Sequence, residues 1–423
     1  LNSRVRVPGS KSLTNRALLL AALAEGVTTL HNTLFADDTQ RFIESLQRLG
    51  FFVEQRSAVG GQRSAVVVHG LGGRIPASRA ELFVGNAGTA ARFLTALLGL
   101  GQGEYVLDGD ARMRERPIGD LLLALRQLGV DIEPQSPVSD LACACPPLVV
   151  RASGLPGGKT TVAGNISSQF LSGLLMVAPY ARGPLEIAVA GELNSKPYVE
   201  MTLALMRDFG VHVEHTNLQT FSVRPQRYRA QAEYVIESDA SAASYFFAAP
   251  ALCGGTVRVE NISRRSKQGD VAFLDVLAQM GCTVAEDEDG IAVTGPDSLR
   301  GVDVNLRDIP DTAQTLAAIA PFARTPTTIR GIASARVKET DRVAAMCAEL
   351  RRLGVTVNEN PDGLEIYPTC NLQPATIRTY NDHRMAMAFA LIGLRTPGIV
   401  IENPGCVSKT FPEYFEVLES LNH

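Results

Sequence analysis

Five times in this chain a helical pattern closes on a glycine and a short apolar run follows it. The copies read Leu46-Gln-Arg-Leu-Gly50-Phe-Phe-Val53, Leu125-Arg-Gln-Leu-Gly129-Val-Asp-Ile132, Leu205-Met-Arg-Asp-Phe-Gly210-Val-His-Val213, Leu277-Ala-Gln-Met-Gly281-Cys-Thr-Val284 and Leu350-Arg-Arg-Leu-Gly354-Val-Thr-Val357. The intervals between the glycines are 79, 81, 71 and 73 residues. Phe415-Glu-Val-Leu-Glu-Ser-Leu421 repeats the helical half of the pattern near the C-terminus. Glycine just past a helix supplies the left-handed residue that ends it, and a β-branched apolar run starts a strand. So long a period marks repeated small domains, not a thin solenoid. Six units, each a few strands plus two helices, fit 423 residues. The expectation is an α/β chain of two lobes, each made of three units closed around shared helices.

The boundary is expected after the third unit. Gln226–Glu237 is polar and charged, and Ser238-Asp-Ala-Ser-Ala-Ala then opens a new helical pattern. A hinge is placed near Glu237 and a second crossing at Pro8-Gly9, because Pro-Gly marks a turn. Residues 10–237 form one expected lobe, and residues 1–9 with 238–423 the other.

About four helical turns before each closing glycine stands a cation: Arg116, Lys196, Lys267 and Lys338, with Lys409 at the same place in the last unit. The first unit has Asp37-Asp38 instead. A cation at a helix start opposes the helix dipole, whereas a cation beside free N–H groups makes an anion site. Salt bridges to neighbouring acids would explain any one of them; five in register suggest a purpose. Three further segments put small polar residues at helix starts: Pro8–Arg16 before a helix at Ala17–Ala24, Asn86-Ala-Gly88-Thr89 before Ala90–Leu98, and Asn165-Ile-Ser167-Ser168-Gln169 before Phe170–Val177. N-capping accounts for each alone; together they suit a cradle of N–H and hydroxyl donors around phosphate or carboxylate. Asp311, after Pro310 at another helix start, reads by itself as an N-cap. Two mixed-charge clusters, Arg336–Arg342 and Tyr380–Met385, bring acids beside Lys, His and Arg, pairs suited to proton transfer.

Composition narrows the function classes. With 40 Lys and Arg against 44 Asp and Glu, the net charge is −4, which argues against a broad nucleic-acid-binding face. Cations for an anionic ligand must therefore be placed locally. Seven cysteines without a C-x-x-C pair or a His/Cys cluster predict neither a metal site nor a disulfide framework, and fit reduced cytosolic thiols. The longest apolar runs, such as Ala17–Ala24, fall far short of the about 20 residues of a membrane span. Neither a Walker A loop nor a G-x-G-x-x-G after a strand is present. The chain begins at Leu1 rather than Met, so further N-terminal sequence is expected.

In order along the chain run PGSKSLTNRALLLAALAEG, LFVGNAGTAARFL, RERPIGDLL, GNISSQFLSGLLMVAP, SKPYVEMT, DASAASYF, DIPDTAQT, RVKETDR, YNDHRMAMAFAL and SKTFPEYF. With these motifs the chain resembles the 5-enolpyruvylshikimate-3-phosphate synthases of the enolpyruvyl transferase family, over nearly its whole length. The resemblance implies a pseudo-sixfold, inside-out α/β barrel architecture, two lobes joined by a two-strand hinge, and an active site in the cleft between them. The activity implied is transfer of the enolpyruvyl group of phosphoenolpyruvate to the 5-hydroxyl of shikimate 3-phosphate, with release of phosphate. No cofactor or metal is implied, glyphosate is the implied inhibitor, and a cytoplasmic monomer is expected.

Carried over by motif, the resemblance assigns shikimate 3-phosphate to Lys11, Ser12, Arg16, Ser167, Ser168, Gln169, Ser195, Tyr198, Asp311, Ser334 and Lys338. Phosphoenolpyruvate falls to Lys11, Asn86, Gly88, Thr89, Arg116, Gln169, Arg342, Arg384 and Lys409. Asp311 becomes the base for the 5-hydroxyl, overturning the capping role, Glu339 the proton shuttle to C3, with Lys11 and His383 assisting. Lys267 receives no ligand role. Ser334 stands where many members have Asn, and Phe93 where many have Pro, which is expected to alter the Gly88–Thr89 turn and the response to glyphosate. Two rival readings are transfer to UDP-N-acetylglucosamine, whose enzymes have Lys-Asn at the place of Lys11-Ser12 and a loop cysteine absent from Arg112–Pro117, and a non-catalytic phosphometabolite-binding protein.

Overall fold

The computed structural model describes residues 1–56 and 64–422. The chain divides into two compact units, one of Gly9–Glu237 and one of Leu1–Pro8 with Ser238–His423. Elements follow a repeated order: strand, buried helix, strand, outer helix, then two antiparallel strands. The first pass is β1 (Asn2–Val5), α1 (Lys11–Leu23), β2 (Glu25–His31), α2 (Asp37–Arg48), β3 (Phe52–Arg56) and β4 (Ala65–Leu71). The second is β5 (Arg79–Phe83), α3 (Gly88–Leu98), β6 (Gln102–Asp108), α4 (Gly119–Gln127), β7 (Asp131–Pro134) and β8 (Leu148–Ser153). The third is β9 (Gly158–Ala163), α5 (Ser168–Val177), β10 (Leu185–Ala190), α6 (Lys196–Asp208), β11 (Glu214–Thr216) and β12 (Thr220–Val223). The fourth is β13 (Glu233–Val235), α7 (Ala240–Cys253), β14 (Thr256–Val259), α8 (Phe273–Gln279), β15 (Thr283–Asp287) and β16 (Gly290–Thr294). The fifth is β17 (Asp303–Asn305), α9 (Ala313–Ile319), β18 (Thr327–Arg330), α10 (Arg342–Arg352), β19 (Val357–Asn360) and β20 (Gly363–Ile366). The sixth is cut short: β21 (Thr376–Ile377), α11 (His383–Gly393), β22 (Val400–Ile401) and α12 (Tyr414–Glu419).

The second, third and fifth repeats each fold their strands into one four-stranded sheet, as in the order β5-β6-β8-β7. In that sheet the first two strands are parallel, joined by a buried helix, and the remaining pairs are antiparallel. Two opening strands are exchanged. β1 pairs in parallel with β14, although α1 and β2 follow it in the chain, and β13 returns to pair in parallel with β2. The chain thus passes between the units at Pro8-Gly9 and again at Glu237-Ser238.

All five repeat glycines, Gly50, Gly129, Gly210, Gly281 and Gly354, have positive φ. In every copy the N–H of the residue after the glycine reaches the carbonyl five residues back, as from Val130 to Leu125 at 3.1 Å and from Cys282 to Leu277 at 3.0 Å. This bond satisfies a helix-end carbonyl and turns the chain toward the next strand.

The helices α1, α3, α5, α7, α9 and α11 are buried on nearly every side, the position of a helix enclosed in a core. In one unit α1, α3 and α5 pack on each other; in the other α7, α9 and α11 do so. Several helices begin earlier than their apolar runs predict. α1 starts at Lys11, with the Ser10 hydroxyl accepting from the Leu13 N–H, and α5 starts at Ser168 with Ser167 capping Gln169. The polar residues expected in loops therefore form first helical turns. No helix among the described residues is long and apolar enough to cross a membrane.

Candidate active site

In the Gly9–Glu237 unit, contacts between side chains and turns bring together the starts of α1, α3, α5 and α6. Arg16, in the second turn of α1, is 1% exposed. Its Nε donates to Thr202 Oγ1 at 2.7 Å and its Nη1 to the Ser12 carbonyl at 2.9 Å. Its Nη2 reaches the Tyr198 carbonyl at 3.2 Å and Ser172 Oγ at 3.4 Å. Gln169 Nε2 donates to Thr89 Oγ1 at 3.2 Å, joining α5 to α3. Arg116 lies three residues before α4, and its Nη1 holds the Asn86 carbonyl at 3.0 Å and Asn86 Oδ1 at 2.8 Å. Gly88 leaves room for that guanidinium: a Cβ there would overlap Nη2 and lie 2.9 Å from Cζ. Ser195 holds a left-handed backbone, φ 56°, directly before Lys196 opens α6.

The cations of this unit are of two kinds. Lys11 Nζ pairs with Asp38 Oδ2 at 3.1 Å. Arg16 and Arg116 have only neutral acceptors among the described residues, and the buried Arg116 Nε has no partner there. Burial lowers the Arg16 pKa to about 10, against a raising effect of Tyr198, so it stays charged at neutral pH. A buried guanidinium without a carboxylate is an electrostatic demand for an anion.

The other unit carries an acid–base cluster at the starts of α9, α10 and α11. Asp311 sits inside a single 3-10 turn, Pro310–Thr312, rather than at its N-cap, which is Ile309. Its carboxylate instead meets Lys338 Nζ, Arg342 Nη1 at 3.2 Å and Arg384 Nη2 at 2.9 Å. Burial opposes its ionisation, but Arg384, Lys338 and Arg342 outweigh that and hold it well below the usual carboxylate range. Burial, reinforced by the two arginines, pulls Lys338 below its ordinary value despite Asp311. Arg342 also donates through Nη2 to Glu339 at 2.8 Å and through Nε to Asp382 at 2.7 Å. Burial works against its charge, while Asp382, Glu339 and Asp311 keep it firmly protonated.

Asp382 does two jobs. It grips Arg342, and its Oδ1 caps α11 by accepting the Arg384 N–H at 2.9 Å. His383 beside it is wholly buried, with Nδ1 3.6 Å from Asp382 Oδ1. Two consecutive non-glycine residues with positive φ, Tyr380 and Asn381, turn the chain into this cap. Such strain persists only where the surroundings fix it; here the Tyr380 hydroxyl donates to Glu349 Oε1 at 2.8 Å.

Of the residues picked from the sequence, Lys338, Glu339, Arg342, Arg384 and Asp311 form one connected cluster, with His383 at its edge. Ser334 is half-buried in the 3-10 turn Ala333–Val337, and Lys409 ends the turn Pro404–Lys409, 8% exposed. Of the register cations, Lys196 alone begins its helix; Arg116, Lys267, Lys338 and Lys409 stand before theirs. Sequence reasoning missed the contacts that aim the cations: Asp38 with Lys11, Asp382 with Arg342, and Thr202, Ser172 and Phe93 with Arg16. One signal was available for Asp38. The acidic pair broke the cation register in the first repeat, and one of its carboxylates serves Lys11.

The chain is similar to known proteins over nearly its whole length. A family model described as EPSP synthase (3-phosphoshikimate 1-carboxyvinyltransferase) matches residues 1–418. The 3-phosphoshikimate 1-carboxyvinyltransferase of Trichormus variabilis is 50% identical over 416 residues, covering 98% of this chain and 95% of the relative. A chloroplastic one from Arabidopsis thaliana is 49% identical over 438 residues, covering 100% and 82%. The solved EPSP synthase of Acinetobacter baumannii superposes with a TM-score of 0.79 at 26% identity, covering 99% of this chain and 95% of that one.

Proposed function

Since the chain belongs to the EPSP synthase family and transfers the enolpyruvyl group of phosphoenolpyruvate to shikimate 3-phosphate in aromatic amino acid biosynthesis, we propose how its residues divide that work. Arg16, Ser12, Ser167, Ser168, Ser195, Tyr198 and Gln169 take shikimate 3-phosphate, helped by Ser334 and Lys338. Asn86, Gly88, Thr89 and Arg116 take phosphoenolpyruvate, together with Arg342, Arg384 and Lys409. Lys11 serves both substrates, and the two groups of residues act in one turnover.

The observation that carries this reading is the setting of Asp311, one carboxylate held by three cations. In the proposed reaction the 5-hydroxyl oxygen bonds to C2 of phosphoenolpyruvate and gives its proton to Asp311, while C3 gains a proton from Glu339. The tetrahedral adduct then returns a methyl proton from C3 to the Glu339 carboxylate as the C2–O bond to phosphate breaks, restoring the C2–C3 double bond and releasing phosphate. Arg342 and Arg384 bind the incoming anion with the same guanidinium groups that hold Asp311. Sharing them weakens their grip on its ionised form, so its proton affinity rises when a base is needed. The cations also stabilise charge on the departing phosphate.

The proposal extends to glyphosate as an inhibitor of the phosphoenolpyruvate side and to a cytoplasmic monomer. Glyphosate inhibition of the wild type and of Phe93→Pro, compared at equal substrate affinity, tests the first; size-exclusion chromatography tests the monomer. For the residue roles, Lys11→Ala should abolish turnover while the protein still unfolds cooperatively, at a lower melting temperature because buried Asp38 loses this cation. Retained turnover would discredit its shared role.

A further inference from the structure

Phe93 lies inside α3, wholly buried, with the Arg16 guanidinium carbon 5.1 Å from the centre of its ring. On its other sides Arg16 meets one hydroxyl or carbonyl oxygen after another: Thr202, Ser172, Ser12 and Tyr198. No carboxylate pairs with it among the described residues. The ring is therefore the remaining source of negative potential, and it is a weak one, since an aromatic face attracts a cation through its quadrupole without neutralising it. This differs from the arrangement around Arg342, which three carboxylates share.

An anion-binding cation has to be held still yet left charged. A carboxylate behind Arg16 would fix it and cancel much of its pull on a ligand. A purely aliphatic side chain would leave it charged and poorly held. An aromatic face does both tasks. The packing makes space for it: Gly173 of α5 faces α3, and a Cβ there would sit 3.3 Å from Ala96 Cβ, 3.3 Å from the Arg92 carbonyl and 3.6 Å from Phe93 Cδ1. Phe93 also stands one turn beyond Gly88 and Thr89, so the helix that opens beside Arg116 backs Arg16 further along.

We propose that Phe93 is a positioning residue for shikimate 3-phosphate, its ring aiming the Arg16 guanidinium while leaving its charge available to the substrate. This rests on the reading of Arg16 as a ligand of that substrate.

The test compares Phe93→Leu, Phe93→Tyr, Arg16→Ala and the Phe93→Leu/Arg16→Ala double variant in the full chain, by steady-state kinetics with each substrate varied. Phe93→Leu should raise KM for shikimate 3-phosphate about five- to tenfold, between the values of an exposed and a desolvated cation–π contact, and change KM for phosphoenolpyruvate less than twofold. Phe93→Tyr, which keeps the ring face, should stay within twofold of wild type for both. With Arg16 already gone, Phe93→Leu should add nothing. If Phe93→Leu does not fold, Phe93→Met carries the same readout. A loss confined to melting temperature and kcat, or equal rises in both KM values, would mean Phe93 only fills the core and would overturn the proposal. An additive double variant would overturn it as well. If instead Arg16→Ala leaves KM for shikimate 3-phosphate unchanged, the reading of Arg16 itself fails, an outcome distinct from the others.

Discussion

Replacing Asp382 with asparagine removes one charge from a carboxylate that serves two arginines. Asp382 is 0% exposed and lies 2.7 Å from Arg342 Nε and 3.2 Å from Arg342 Nη2. Breaking a buried ion pair from one side costs about 3–5 kcal/mol, because the other charge stays buried. Glu339 and Asp311 still face Arg342, so the expected loss is lower, about 2–4 kcal/mol. At about 2–4 °C per kcal/mol for a domain of this size, the unit melts roughly 5–15 °C earlier. Asparagine keeps an oxygen for the Arg384 N–H; alanine does not, and should lose about 1 kcal/mol more. Kinetics should move with stability. Arg342 and Arg384 lose their aim, and a misplacement of about 1 Å is worth a factor of about 10² in kcat/KM for phosphoenolpyruvate. Differential scanning calorimetry and steady-state rates at pH 7 read both effects. An Asn variant that melts within about 1 °C of wild type, with unchanged phosphoenolpyruvate kinetics, would refute the reasoning.

Gly88→Ala forces a Cβ into the Arg116 guanidinium. Since alanine is the better helix former, the melting temperature should hold while KM for phosphoenolpyruvate rises about tenfold; an unchanged KM would count against the role of Arg116. Asp270 is held up to about 6 by burial, reinforced by Asp311 and countered by Ser241 and Arg384. Its folded pKa lies above the unfolded value, so its contribution to stability is full below about pH 4 and is lost as pH rises through about 6. Asp270→Asn should therefore gain roughly 2–3 kcal/mol relative to wild type between pH 4 and 7; a pH-independent difference in melting temperature would contradict this.

The repeat was legible because each copy ends in one local device, a left-handed glycine whose neighbour bonds back into the helix. Gly129 and Gly281 carry that signal whatever they pack against. Helix starts were harder to read. Lys11, Ser12, Gly88 and Ser168 are polar or small and look like loop, yet they are helical: Ser10 caps the first two, Ser167 caps the last, and Gly88 opens a helix that is buried throughout. Strand exchange left no local mark: β1 and β13 each pair with a strand beyond the helix that does not follow them in the chain. At the site, sequence motifs picked out the cations but not what holds them. Arg16 and Phe93 lie on different helices, Lys11 and Asp38 likewise, and no spacing along one element predicts such contacts. Asp311 shows the limit most plainly. Its place after Pro310 reads as a cap, and only the fold brings Lys338, Arg342 and Arg384 to it.

The central claim is a transfer that needs both substrates at once. Phosphate release should be followed with purified protein given phosphoenolpyruvate alone, shikimate 3-phosphate alone, or both. The account predicts sustained release with both, matched one for one by the enolpyruvyl ether product, and none with either alone. Release from phosphoenolpyruvate at the same rate without shikimate 3-phosphate would contradict it.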